Sequence, residues 1–142
     1  IVMRLESGFG KGDGYGIVNT FYKKLKQNEE VELFSKGLIY RNLIHIDDVI
    51  QIMIKSSDKY QELEKFEIFN AASKESLKTY DVALLMKQII ESESEIICSD
   101  KKYIFDWDVF VDTSKAQSKL EFQPVSMKDR IQQYIKQIEN GL

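Results

Sequence analysis

Apolar residues at 17, 18, 21, 22 and 25 recur with helical spacing, which predicts an amphipathic helix over 17–26 with a basic outer face. The same periodicity appears after Asp47 (49, 50, 52, 53 and 54) and after Thr79 (82, 83, 85, 86, 89 and 90). It returns in a closing helix from Met127 to Ile138, apolar at 127, 131, 134, 135 and 138. Thr79 is expected to cap its helix, and 113–120 reads as a shorter one. Extended segments are expected at 1–5, as a buried strand, and at 31–34, 38–46, 66–70 and 95–98. Ser35-Lys36-Gly37 reads as a turn, 55–65 as a polar connection and 99–111 as irregular. Pro124, the only proline, falls in a loop over 122–125. Strands alternating with helices predict an α/β fold.

Composition changes this picture little. A chain of 142 residues, 43% hydrophobic and 30% charged, fits one globular domain. A net charge of −3 argues against a general nucleic-acid binder, although a local pocket for a small anion stays open. No apolar run reaches membrane-spanning length, so no membrane partner is expected. Cys98, the single cysteine, reads as a small hydrophobe, and a cytoplasmic protein is the expectation. The chain opens on Ile-Val-Met-Arg-Leu inside an apolar run, which reads as the start of a fragment.

Candidate chemistry concentrates in Arg41-Asn-Leu-Ile-His-Ile-Asp-Asp-Val-Ile. One histidine and one distant cysteine do not make a usual zinc site, and adjacent aspartates at a helix start point in different directions. Asp47 and Asp48 are instead expected to accept hydrogen bonds from free helix N–H groups, with His45 carried along in an apolar strand. Arg41 is by residue type either a strand-edge arginine or a bidentate ligand for phosphate or carboxylate. Five glycines alternate from Gly8 to Gly16, without the spacing of a dinucleotide loop or a P-loop. They read as a conformational loop.

Together these residues resemble a known family. Arg41-Asn-Leu-Ile-His-Ile-Asp-Asp-Val is similar to the Arg-Asp-Phe-x-x-Val-x-Asp-Val segment of the NAD-dependent epimerase/dehydratases, extended short-chain dehydrogenases that act on nucleotide sugars. Arg4-Leu-Glu-Ser-Gly-Phe-Gly resembles that family's Arg-x-x-Asn-x-Tyr-Gly-Pro, and Phe34-Ser-Lys-Gly its Tyr-Gly-x-Gly turn. Phe69-Asn70-Ala-Ala resembles Tyr-Asn-x-Gly, and Asp112-Thr-Ser-Lys115-Ala with Leu120 and Pro124 resembles Asp-x-Ser-Lys-Ala…Leu-Gly-x-x-Pro. The motifs run in order over nearly the whole chain. Departures are Lys11 for proline, and Ala72 and Glu121 for glycines.

The resemblance implies the carboxy-terminal part of an extended short-chain dehydrogenase: the last Rossmann strands plus the small α/β substrate-binding region. Residues 1–6 and about 41–70 would belong to the Rossmann sheet side, and about 15–40 and 71–142 to the sugar-nucleotide lobe. The family's glycine-rich cofactor loop and its Tyr-x-x-x-Lys catalytic pair are both expected to be absent, so no catalytic residue is assigned. Arg41 would clamp a diphosphate, Phe34 would lie near the nucleotide base, and Val18 would border it. Ser7 replaces an asparagine that reaches the diphosphate, Lys102 falls where a second phosphate-binding arginine is expected, and Thr79 can approach phosphates from its helix start. NAD or NADP is implied for the whole protein, with none bound by this stretch alone. The implied partner is a UDP-, dTDP- or GDP-linked sugar, and unpaired sheet edges imply a homodimer that need not be the native one. The alternative is a degenerate, non-catalytic binding or structural module of the same fold.

Overall fold

The computed structural model describes residues 1–12, 14–102 and 104–141. Strand β1 (Val2–Leu5) runs parallel to β6 (Ile68–Ala71), with Val2 opposite Ile68 and Leu5 opposite Ala71. β2 (Ser7–Phe9) runs parallel to β5 (Leu43–His45), and β3 (Val31–Leu33) parallel to β8 (Ile96–Cys98). The short β4 (Tyr40–Arg41) pairs antiparallel with β7 (Leu77–Lys78). The helices are α1 (Ile17–Lys26), α2 (Ile46–Asp58), α3 (Thr79–Ile90), α4 (Ser114–Leu120) and α5 (Met127–Glu139). Parallel pairs need long crossovers, and helices supply them here.

Two hydrophobic clusters result. The larger gathers Val18, Phe21 and Leu25 of α1, Val82 and Met86 of α3, and Ile131, Tyr134 and Ile135 of α5 over β3 and Leu43. The smaller gathers Ile44, Ile52, Phe69, Ala71, Ala116, Leu120 and Phe122, so α4 packs on the β1–β6 side. Neighbouring residues of β5 thus serve different clusters, as a strand's alternating side chains allow. Glu67, buried at the foot of β6, is gripped by Lys115 and Lys119 of α4. Hydrogen bonds from those two ammonium groups hold its carboxyl down at about 2.

Several expectations are corrected. The first strand is not buried: Ile1, Val2 and Leu5 are exposed, and only Met3 packs inward, because β1 is paired on one side alone among the described residues. In α2 only Ile52 of the periodic positions is fully buried, while Ile50, Met53 and Ile54 face outward. Helix α2 also continues to Asp58, into what read as a polar connection. Gly8 belongs to β2 rather than to a loop. Thr79 is the first residue of α3 and not its cap; Lys78 occupies that position, and the Thr79 hydroxyl donates to the Ile39 carbonyl (3.1 Å).

The Arg41–Ile50 junction also differs in its details. His45 is no passenger: its Nδ1 accepts the Asp47 N–H at 3.2 Å and caps α2. Asp48 is fully buried and takes Arg130 of α5 through Nε (2.9 Å) and Nη2. Asp47 reaches the same helix through Gln133 (2.5 Å) and, at 3.5 Å, Arg130. The aspartates therefore tie two helices together, a long-range role that local sequence does not reveal.

Burial holds the His45 pKa below its usual value, with Asp47 and Asp48 opposing and Arg130 assisting. A lowered histidine pKa means that the unfolded chain binds the proton more readily. Stability is therefore complete above about pH 6.5 and falls as the pH drops below that value. Urea midpoints measured from pH 7.5 to 5 are expected to decline, and the decline is expected to shrink in His45→Asn, which keeps a capping acceptor but does not titrate. An unchanged slope in that variant would assign the effect to other groups.

Candidate functional site

Arg41 is held in place by its neighbours in the strand. It pairs with Leu77 across the β4–β7 ladder. The next residue, Asn42, is buried and crosslinks the backbone: its amide donates to the carbonyls of Ser73 and Glu75 (both 3.2 Å), and its oxygen accepts from the Ser73 N–H (2.8 Å). A buried amide with these partners fixes the strand and hence where Arg41 starts. Sequence reasoning passed over Asn42, although a polar residue between an arginine and an aliphatic run is a visible signal.

Arg41 lines a cleft of about 700 Å³. One wall is α1, entered through Gly16, Ile17 and Val18; another is β2, with Ser7 and Gly8; Phe34 and Thr79 add to it. Gly16 has φ 89 and caps α1 without a side chain, which leaves the amide end of the helix clear of a capping group. Helix N–H groups and a guanidinium facing one cavity favour an anion. Glu6 and Glu32 are the acids on the lining, and a hydrogen bond from Lys101 lowers the Glu32 pKa.

The Phe34 side chain sits at the start of a turn, Phe34–Gly37, in which Ser35 (φ 49), Lys36 (φ 56) and Gly37 (φ 68) are all left-handed. Such backbone costs of order 1 kcal/mol or more per non-glycine residue, and the surroundings must enforce it. Here Ser35 N–H donates to the Lys101 carbonyl (2.7 Å) and Lys36 N–H to the Ser99 carbonyl (2.8 Å). A β-carbon on Gly37 would lie 3.2 Å from the Tyr80 backbone nitrogen, so the turn seats directly on α3.

Of the sequence candidates, Ser7, Val18, Phe34, Arg41 and Thr79 meet on this cleft. Lys102 does not line it; its ammonium lies 3.7 Å from Asp106 and is solvent-exposed. Sequence reasoning missed Phe105 and Trp107, which line the cleft from the irregular segment after β8. Among the described residues, no cluster of three or more His, Cys, Asp or Glu is arranged to hold a metal, and no helix is long and apolar enough to cross a membrane.

The expected absence of a Tyr-x-x-x-Lys spacing is wrong, since Tyr22 and Lys26 have it. Both lie on α1 away from the cleft lining. Tyr22 packs edge-on against Tyr134 (6.1 Å), and Lys26 is bound by Glu139 (2.5 Å). Burial raises the Tyr22 pKa, with Lys26 opposing, so the phenol is made a poorer proton donor. The spacing here belongs to an amphipathic helix.

An α/β chain with parallel strand pairs and a cleft lined by Arg41 and the start of α1 is the class that fold and site define. The UDP-glucose 4-epimerase of Thermotoga maritima, solved with UDP-glucose, superposes with a TM-score of 0.84 at 23% identity, covering 99% of this chain and 46% of that one. The UDP-glucuronic acid 4-epimerase of Bacillus cereus, in complex with UDP-glucuronic acid and NAD, gives 0.77 at 22% identity, covering 97% and 45%. A UDP-N-acetylglucosamine 4-epimerase of Methanobrevibacter ruminantium, in complex with UDP-N-acetylmuramic acid, gives 0.80 at 16% identity, covering 99% and 46%. No curated protein matches the chain. The family model described as NAD dependent epimerase/dehydratase family matches residues 1–72. The chain belongs to that family, and it spans less than half the length of these solved relatives.

The glycine run of this chain does not have the form of a dinucleotide-binding loop. The glycine run does connect β2 to α1, but Gly8 is spent in the strand and Gly10 packs against Ile46, where a β-carbon would meet Cγ2 at 2.6 Å. The glycines that remain, Gly12, Gly14 and Gly16, alternate and lack the i, i+2, i+5 spacing that brings backbone N–H groups to a pyrophosphate.

Proposed function

We propose that the cleft binds the diphosphate of a nucleotide sugar, with Arg41 as the anion clamp and the amide end of α1 facing it. The observation that carries this reading is the convergence of Arg41, Gly16–Val18 and Ser7 on one cavity of about 700 Å³. That volume lies in the usual range for small-molecule sites, about 300–1,000 Å³. Phe34 is assigned to the base end, and Val18 and Thr79 to the walls. Ser7 is shorter than the asparagine it replaces, and Lys102 stands clear of the cleft, so Arg41 carries most of the charge recognition.

The chain acts in this reading as the substrate-binding carboxy-terminal portion of a longer epimerase or dehydratase and does not catalyse alone. Residues 1–6 and about 41–70 form its Rossmann side, and about 15–40 and 71–142 the sugar-nucleotide lobe, with α4 reaching back to β6. The exposed apolar residues of β1 and of α2 support a missing neighbour on that side. NAD or NADP would be held by the remainder of the protein, and a homodimer is the expected assembly.

Thermal shift and titration calorimetry with UDP-, dTDP- and GDP-sugars test the reading. Stabilisation by at least one of them is expected, and Arg41→Ala is expected to weaken binding about 10- to 100-fold, as loss of a charged hydrogen-bonding partner does. Equal affinity in wild type and variant would remove Arg41 from the site.

A further inference from the structure

The cleft has one wall built unlike the others. Residues 104–109 run along it as irregular chain, and Phe105, Trp107 and Val109 line the cavity from that side. The Phe105 and Trp107 rings meet edge-on at 5.2 Å, yet they remain 50% and 57% exposed. Burial therefore does little to hold this segment, and polar tethers hold it instead. Val109 N–H donates to the Tyr40 carbonyl (3.0 Å), Tyr40 N–H to the Asp108 carboxylate (2.9 Å), and the Ser35 hydroxyl to the Asp106 carboxylate (2.5 Å). In the middle, the Arg41 guanidinium donates to the Phe105 carbonyl (2.5 Å) and to the Trp107 carbonyl (3.1 Å).

Those two bonds use the same N–H fork that suits a pair of phosphate oxygens. A carbonyl oxygen is neutral, whereas a diphosphate oxygen is charged and accepts a stronger hydrogen bond from the same donor. The two acceptors therefore compete for one guanidinium. We propose that residues 104–109 are a strap, that Arg41 is its latch, and that a diphosphate entering the cleft takes the guanidinium from the Phe105 and Trp107 carbonyls and frees the aromatic wall. The anion arm of this proposal rests on the diphosphate reading above; the latch itself does not. A segment secured by exposed polar bonds over little buried area belongs to the low-stability end of a fold, where ligand-linked motion is drawn from.

Trp107 is the chain's one tryptophan, so its fluorescence reports the strap without a label. The experiment compares acrylamide quenching of Trp107, and hydrogen exchange at the Val109 amide, in wild type, Arg41→Lys and Arg41→Ala, each with and without UDP. Lysine keeps the charge but cannot hold both carbonyls in one planar fork, so it tests the latch even if the alanine variant misfolds. Without ligand, both variants are expected to show easier quenching and roughly tenfold faster Val109 exchange, the effect of losing charge-assisted hydrogen bonds. UDP is expected to raise quenching in wild type towards the variant level and to change the variants little. Unaltered quenching and exchange in both unliganded variants would overturn the latch, whatever UDP does. UDP that binds wild type by calorimetry yet leaves Trp107 unchanged would overturn the exchange of partners while sparing the diphosphate reading. If UDP fails to bind, dTDP and GDP take its place in the same comparison; if none of the three binds, the diphosphate reading falls and the unliganded comparison decides the latch by itself.

Discussion

Arg130→Met is expected to lower the unfolding free energy by about 3–5 kcal/mol, because it strands a buried charge rather than removing a contact. Asp48 has no exposed surface, and its carboxylate is bracketed by Nε and Nη2 of Arg130. With the guanidinium gone, a fully buried carboxylate loses the donors that offset its lost hydration. The start of α2 offers some relief through the helix dipole, worth roughly 0.3–1 kcal/mol. The loss corresponds to a melting temperature lower by roughly 10–15 °C for a domain of this size. The double variant Asp48→Leu/Arg130→Met is expected to lose much less than Arg130→Met alone, since replacing both partners of a buried pair by apolar residues is often nearly neutral. Urea denaturation of the four proteins in the cycle checks this. A single Arg130→Met variant within about 1 kcal/mol of wild type would show that water reaches Asp48 and that the pair is a surface one.

That pair also shows where sequence reading stops. Helix α1 was legible to its end residues, because its period and its glycine-rich entry are local signals. The periods of α3 and α5 were equally clear, and the turn at 35–37 was visible from its glycine. Asp47 and Asp48 were legible as a helix start and His45 was not, and the aspartates' partners Arg130 and Gln133 lie more than eighty residues away, beyond any local pattern. The apolar run at 1–5 gave the right element and the wrong environment, since hydrophobicity reports what a strand prefers to bury and not whether a neighbour is there to bury it.

The cleft divides in the same way. Arg41 stood out because a guanidinium at the head of an apolar strand is unusual, and Ser7, Val18, Phe34 and Thr79 were named only through the family resemblance. Lys102 was named through the same resemblance, but it lies in an irregular segment, where one inserted residue moves every position, and it is off the lining. The same irregularity hid Phe105 and Trp107: without helix or strand periodicity, nothing in the sequence says which side chains of 104–109 face inward.

Phe69→Ala is expected to cost about 3–5 kcal/mol, the usual effect of emptying an aromatic site in a closed core. The ring is fully buried among Ile44, Ile52, Leu120 and Phe122, and the Lys115 ammonium lies 5.2 Å from its centre. Its cluster does not contain the cleft, yet the cleft is expected to unfold with it. Leu43 and Ile44 are adjacent on β5 and belong to different clusters. Helix α2 likewise sends Ile52 into the Phe69 cluster and Asp48 to Arg130 on α5, which packs in the other. Neither β5 nor α2 can leave one cluster and keep its place in the other. Denaturation followed by Trp107 fluorescence and by far-ultraviolet circular dichroism is therefore expected to give coincident midpoints in Phe69→Ala, both shifted down together. A Trp107 transition that stays at the wild-type midpoint while the dichroism shifts would mean that β5 and α2 divide at the boundary, and that the cleft side folds as a unit of its own.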